Sequence, residues 1–405
     1  MKILIVTPSI PYPPYRGDKL RLYNIINILS RNNDITVVTF IKDKNDYTFA
    51  EELDKKGIKI HFVKISIIKS LIKYVKFFFS NLPLQVLSRQ NKKMKEKINF
   101  LTKENNYDIV YFHIFTTAQY YSAISSPHTL KVLDLTDAVS LYLTRFLEFV
   151  ENPLKKIYFN IEKKRVSKYE NIASKFDVTF VCSHVDKEYL ERKKIDSNFK
   201  LFVNGIDKDE FNYSYAKPEK YRIIFTGNMP YFPNRDAVIF FINEIFPKVL
   251  KKCPEAKLYI VGKDPTEDVK KMASENVIIK GFVEDLRTEY LISEVNIAPI
   301  RFGAGTPNKI IEALALGVPT VATSLAVKGF NEEIKKYIFI ADSPAEFADK
   351  IINIFNNTNI RTTYMRDVSS RIVDALNTET IISDIEAYLL EKVNMKREQY
   401  FKSQL

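Results

Sequence analysis

The sequence predicts an α/β protein with parallel sheets in two domains. Three observations carry this. Short apolar runs recur along the chain as buried strands, and helical patterns separate them. Strands alternating with helices imply parallel pairing. The chain has 405 residues and 46% hydrophobic content, enough for two domains with two cores.

The most informative unit runs from Ala298 to Thr323. An apolar run, Val295 to Ile300, reads as a strand, and Arg301 to Gly305 as a glycine-bearing loop that includes Gly303 and Ala304. Thr306 is expected to cap the next helix, with Pro307 in its first turn, where a missing N–H costs nothing. Ile310, Ile311 and Leu314 form an apolar helix face. Gly317 stops the helix and Pro319 opens another strand. A helix N-terminus beside a flexible loop offers free N–H groups and the positive end of the dipole, which suits phosphate. Lys309 and Glu312 are three residues apart, on one helix face. Lysine there meets phosphate charge, and glutamate accepts from ribose hydroxyls, as a nucleoside diphosphate requires.

Glu312, Ala313, Leu314, Ala315, Gly317, Pro319, Val321, Ala322 and Thr323 stand in the order typical of one enzyme group. The stretch resembles the donor site of GT-B fold glycosyltransferases of family 4, the glycosyl transferases group 1. The resemblance extends over nearly the whole chain. It implies two Rossmann-like domains facing across a cleft. The expected division is 1–197 on the acceptor side and 198–378 on the nucleotide-sugar side, with a last helix at about 379–403 returning to the first domain.

The net charge of +12 suits an anionic substrate, anionic lipid or nucleic acid. Lys and Arg are spread along the chain without an RNA-binding motif, so no nucleic acid is expected. Cys182 and Cys253 are isolated, which suggests neither a disulfide framework nor a metal site and fits a reducing compartment. The apolar run at Ile3 to Val6 is too short for a signal peptide, and no run is long enough to span a membrane. A cytoplasmic protein is expected, with no metal and no cofactor.

In chain order, Lys2 to Pro8 is the first strand. Pro8, Pro11, Pro13 and Pro14 stiffen the loop that follows, where a dinucleotide site would place glycines. Arg16, Gly17 and Asp18 end it. They read either as a turn with Asp18 capping a helix Lys19 to Leu29, or, through the resemblance, as acceptor-side residues. Asp34 to Phe40 and Ile58 to Ile65 are the next strands. Ile65 to Val86 is apolar and aromatic, punctuated by Lys69, Lys73 and Lys76. Two readings stand: an amphipathic helix on anionic lipid at the inner face of the membrane, or a packed helix with its lysines outward.

Tyr107 to Phe115 is a strand with His113 at its carboxyl end, where open α/β sheets bind ligands. His113 is a candidate for contact with the reacting sugar. Thr129 to Ser140 contains Asp134, inside the strand pattern, and Asp137, the better site candidate. It resembles the Leu-Asp-Leu-x-Asp run of exopolysaccharide-type sugar transferases. A long polar helix over about Leu143 to Lys175 follows, then Phe176 to Ser183 as the last strand of the first domain.

The second domain opens at Tyr221 to Asn234, with Gly227 ending a strand. Here the chain departs from the family. Asn228 and Asn234 stand where a basic pair is usual, so Arg301 and Lys309 are expected to take the diphosphate. Ala304 replaces the first of two glutamates, leaving the donor sugar undefined. Gly281, Phe282 and Val283 resemble the loop that stacks on the nucleotide base. The resemblance implies a retaining transfer of a sugar from a nucleotide diphosphate donor to a lipid-linked or polysaccharide acceptor. A sugar-nucleotide epimerase and a non-catalytic nucleotide or polysaccharide binder are the rival classes.

Overall fold

The computed structural model describes residues 1–42, 44–65, 80–213, 216–357, 360 and 365–404. Most of the lysine-punctuated stretch, residues 66–79, lies outside them. Two compact units divide the chain: Met1–Val203 with Thr380–Leu405, and Asn204–Glu379.

The first unit holds seven strands: β1 (Lys2–Thr7), β2 (Asp34–Ile41), β3 (Lys59–Lys64), β4 (Ile109–His113), β5 (Leu130–Thr136), β6 (Val178–Val181) and β7 (Phe199–Leu201). All pair parallel, in the order β3-β2-β1-β4-β5-β6-β7. Both faces are covered, so the central strands read as unbroken apolar runs. β7 extends the sheet beyond the strand expected to be last. It has three residues and only Phe199 is buried, too short a pattern to separate from a linker.

Helix α1 (Gly17–Leu29) follows β1. It begins at Gly17, with Arg16 at the N-cap, so Asp18 is not the cap. Asp18 lies in the first turn and is gripped by Arg16, whose Nε stands 3.0 Å from Oδ1 and Nη2 2.5 Å from Oδ2. The long polar helix is two: Val139–Phe146 and α2 (Pro153–Tyr169). The break falls where Asn152 caps the Lys155 amide and Pro153 takes the first helical position, each favouring a fresh start.

The second unit carries six parallel strands: β8 (Arg222–Thr226), β9 (Lys257–Val261), β10 (Val277–Gly281), β11 (Val295–Ala298), β12 (Thr320–Ala322) and β13 (Phe339–Ile340). Their order is β10-β9-β8-β11-β12-β13. Helices α3 (Phe232–Phe240), α4 (Leu286–Leu291) and α5 (Asn308–Ala315) follow β8, β10 and β11. Helix α6 (Thr378–Gln404) completes the first unit, burying Ile382, Ile385, Leu389 and Val393 in one core with Ile3, Ile5 and Phe202. Asn33 ties that core to Glu386 at 2.6 Å.

Candidate active site

In the second sheet, strand order reverses between β8 and β11, the place where open α/β sheets bind ligands. The loops leaving these two strands carry Gly227, Asn228, Arg301, Gly303, Gly305 and Thr306, and α5 after them carries Lys309 and Glu312, whereas Phe282 and Val283 follow β10. α5 starts one residue later than expected. Pro307 is extended (ψ 115°) and forms the N-cap, and its carbonyl accepts the Ile310 amide at 3.1 Å. Thr306 therefore stands outside the helix, because proline supplies the cap position itself.

Lys309 and Glu312 both point to this end of the sheet. Lys309 is only 7% exposed. Its Nζ donates to Asn234 Oδ1 at 2.9 Å and lies 3.6 Å above the Phe225 ring centre. Glu312 is half-buried, and its Oε2 accepts the Tyr290 hydroxyl at 2.9 Å. That hydroxyl also lies 2.6 Å from Thr226 Oγ1. Burial pushes the Lys309 amine down to about 7, with Glu312 opposing the shift. Burial pushes the Glu312 carboxyl up to about 7, against the Tyr290 hydrogen bond and the Lys309 charge. Two ionisable groups one helical turn apart are thus poised near neutrality.

Gly227 makes this arrangement possible. Its φ is +157°, and a Cβ there would stand 2.6 Å from Asn234 Nδ2. Without one, Asn234 folds back to donate to the Asn228 carbonyl at 3.0 Å and presents its oxygen to Lys309.

Arg301 does not extend freely over the glycine loop. Its Nε and Nη2 bind Asp236 of α3 at 2.9 and 2.5 Å. A fork-on-fork pair is the geometry guanidinium and carboxylate favour. Gly303 and Gly305 follow with positive φ, +158° and +74°. Phe282 is exposed at the end of β10, with half-buried Val283 beside it. Tyr290 and Asp236 escaped sequence reading. A buried tyrosine in a short helix and an aspartate in the first two turns of another carry no local signal for partners 22 and 65 residues away.

In the first unit the reversal lies between β1 and β4. His113 ends β4 and is buried. Its Nε2 stands 3.1 Å from the Asp18 carbonyl, which can only accept, so Nε2 carries the hydrogen. Its Nδ1 lies 3.7 Å from Asp134 Oδ2. Asp134 is buried and accepts from Arg21 at 2.8 and 3.2 Å and from the Tyr111 hydroxyl at 2.7 Å. Burial alone would raise its pKa, but the Arg21 charge and His113 hold it below the usual carboxylate range. Arg21 was legible only as a cation on an otherwise apolar helix face. The next residue, Ile114, has φ +57°, and Thr136 at the end of β5 has φ +64°. Both are β-branched, so this backbone is held against its own preference.

Asp137 accepts the Cys182 thiol at 3.0 Å. Burial and the nearby Asp186 push its carboxyl up to about 6. Ligand atoms of Asp137, Cys182 and Asp186 all lie within 4.8 Å of one another. The Asp186 oxygens are already engaged, Oδ1 by the Ala138 amide at 3.0 Å and Oδ2 by the Ser183 hydroxyl. Burial pushes the Cys182 thiol well up, away from the thiolate a metal would bind.

Residues 220–357 match the family model for glycosyl transferases group 1. A protein of Klebsiella pneumoniae described as an uncharacterized 44.6 kDa protein in the cps region is 24% identical over 375 residues, covering 88% of this chain and 91% of that one. Among solved structures, Anabaena HepE in complex with UDP has a TM-score of 0.68 at 17% identity, covering 96% and 100% of the two chains. Sucrose-phosphate synthase from Thermosynechococcus elongatus has a TM-score of 0.72 at 13% identity, covering 98% and 100%. A mutant S. aureus TarM, in complex with fondaparinux, alpha-GlcNAc-glycerol and UDP, has a TM-score of 0.71 at 13% identity, covering 96% and 99%. The shared fold is GT-B, two doubly wound units of seven and six parallel strands.

Proposed function

We propose that this chain, whose residues 220–357 match the glycosyl transferases group 1 model and whose fold is GT-B, transfers a sugar from a nucleoside diphosphate to a saccharide or lipid-linked acceptor in surface polysaccharide synthesis, with retention at the anomeric carbon. The observation that carries the reading is the Lys309–Glu312 pair on α5 at the reversal point of the second sheet. A carboxylate there accepts from ribose hydroxyls. An amine beside a helix N-terminus takes the charge that builds on the departing diphosphate, where preorganised donors act most strongly. Gly227, Asn228, Gly303, Gly305, Thr306 and Arg301 border the same strand ends and complete the donor side. Phe282 offers an exposed ring and Val283 an apolar neighbour for the base.

Acceptor contacts are assigned to Arg16, Gly17 and Asp18, with His113 holding that turn through the Asp18 carbonyl and Asp137 at the end of the neighbouring strand. HepE with UDP and TarM with UDP and a glycosylated glycerol support a nucleotide donor and a hydroxyl acceptor. The cps-region relative supports the polysaccharide setting. The reading includes peripheral attachment at the inner membrane face through 65–86, supported by the lysine spacing alone.

A panel of nucleotide sugars scored by thermal shift tests the donor. A true donor at a hundredfold excess over its Kd stabilises by about 2.7 kcal/mol. The anomeric configuration of the product, read by proton NMR, tests retention. No shift with any nucleotide sugar overturns the reading.

A further inference from the structure

Helix α2 carries an unusual seam. Leu154, Ile157 and Ile161 are 76%, 60% and 42% exposed. The same line continues through Lys164 and Lys168, also exposed. The spacing of three and four keeps all five on one side of the helix, along about 21 Å of its length. The first part of the seam is apolar and the second cationic. Lys155 and Lys156 add exposed charge at its start. None of these four lysines has an ion-pair partner among the described residues. The one acidic residue within α2, Glu162, and Glu170 just after it face inward, while exposed Glu151 precedes the helix. Glu162 is buried and accepts the Leu84 amide at 2.7 Å, and Glu170 is buried and binds Lys193 at 2.6 Å. Exposed single apolar residues are ordinary, but three in register with unpaired lysines are not.

We propose that this face of α2 docks on an anionic phospholipid surface, with Leu154, Ile157 and Ile161 entering the headgroup boundary and the lysines meeting lipid phosphates. Charge decides the occupant. A second copy would oppose lysine to lysine in a parallel pairing. Three side chains also fall far short of the roughly 800 Å² per partner that a stable protein interface needs. A lipid surface demands neither self-complementarity nor large area, and it rewards a few inserted apolar groups combined with positive charge. The inference concerns the first unit and is independent of the donor assignment.

Flotation of the full chain with vesicles tests it, using phosphatidylcholine alone and phosphatidylcholine with phosphatidylglycerol. The chain should float only with the anionic vesicles, and less as salt rises. Lys164→Gln/Lys168→Gln should weaken partitioning by about fivefold per lysine. Leu154→Ser/Ile157→Ser/Ile161→Ser should weaken it by about tenfold or more, since each side chain surrenders buried apolar area. These positions are exposed, so melting temperature and nucleotide binding should stay at wild-type values. Three results overturn the proposal. One is wild-type protein that ignores anionic vesicles. A second is seam variants that bind as wild type while Lys69→Gln/Lys73→Gln/Lys76→Gln does not, which assigns the lipid to 65–86. The third is a seam variant whose main effect is on oligomeric state in sedimentation velocity, which makes the seam a protein contact.

Discussion

Lys309 Nζ stands 2.9 Å from Asn234 Oδ1, joining the helix after β11 to the helix after β8 across the point where strand order reverses. The acceptor is a neutral amide, and the Phe225 ring beneath adds only its quadrupole. Among the described residues, no carboxylate is hydrogen-bonded to this buried amine. On the proposed reading it is the seat for an incoming anion, held in place by Asn234.

Glu312→Ala should weaken nucleoside diphosphate binding by about 1.5–3 kcal/mol, the range for a hydrogen bond to a charged group. Calorimetric titration with the nucleotide measures it. Wild-type affinity in the variant would remove Glu312 from the donor site.

Nucleotide affinity should peak near pH 7. The amine must be charged to hold phosphate, so affinity falls as pH rises through the depressed Lys309 value, about 7. The carboxyl must be ionised to accept from ribose, so affinity also falls as pH drops through the raised Glu312 value, about 7. Lys309→Met should abolish the alkaline limb alone, and Glu312→Gln the acid limb alone. A flat profile in wild-type protein counts against both assignments.

Arg301 and Lys309 should act non-additively on turnover, since both charges address one leaving group. The double alanine variant should lose catalysis far more than binding of the bare nucleoside. Arg301 has a second duty that a cycle with Asp236 separates. Arg301→Ala should cost about 1 kcal/mol of stability, a modest figure because the guanidinium is 35% exposed. Asp236→Ala should restore most of it. Normal turnover in the Arg301→Ala/Lys309→Ala variant, with loss on replacing Asn228 or Asn234, would move the phosphates to the 227–234 loop.

Asp137→Asn should stabilise the protein above about pH 6. The folded-state pKa is raised to about 6, above the free value of about 3.9. Its favourable contribution is therefore complete below the free value and lost as pH rises through the folded one. Above that point the wild type holds a second, half-buried carboxylate beside Asp186, which asparagine removes while still accepting from Cys182. Melting temperatures across pH 4–8 should diverge upward for the variant. Parallel curves would show that Asp137 is ionised throughout.

Arg21→Met should cost about 3–5 kcal/mol, because Asp134 is left charged and buried. Arg21→Met/Asp134→Asn should recover much of that in urea unfolding. Equal loss in both variants would make packing, not charge, the reason for Arg21.

Local chemistry was legible where residues close in sequence act together. The strand, glycine loop and helix around Lys309 and Glu312 announce themselves through apolar runs punctuated by glycine and proline. The Asn152–Pro153 helix start is equally written in the sequence, but the polar pattern continues on both sides of it and conceals the break. β7 was hidden by its length. The partners that tune the site were out of reach for another reason. Asp236 for Arg301, Tyr290 for Glu312 and Cys182 for Asp137 lie 65, 22 and 45 residues away. Only strand order brings such pairs together, and strand order is a property of the sheet.

Helix α6 has a consequence in time. The residues that help close the first core, Ile382 to Val393, are synthesised after the whole second unit, while Ile3 and Ile5 precede it. At about 5–20 residues per second, some ten to forty seconds separate Val203 from Val393 on the ribosome. The second unit is complete in sequence before the first, as an insertion that matures inside its host. Until α6 arrives, the part of that core not covered by Leu22, Ile25, Ile26 and Leu29 of α1 is left exposed to chaperones or to other nascent chains. A nonsense codon near residue 380 therefore injures the amino-terminal half of the protein and spares the half it follows.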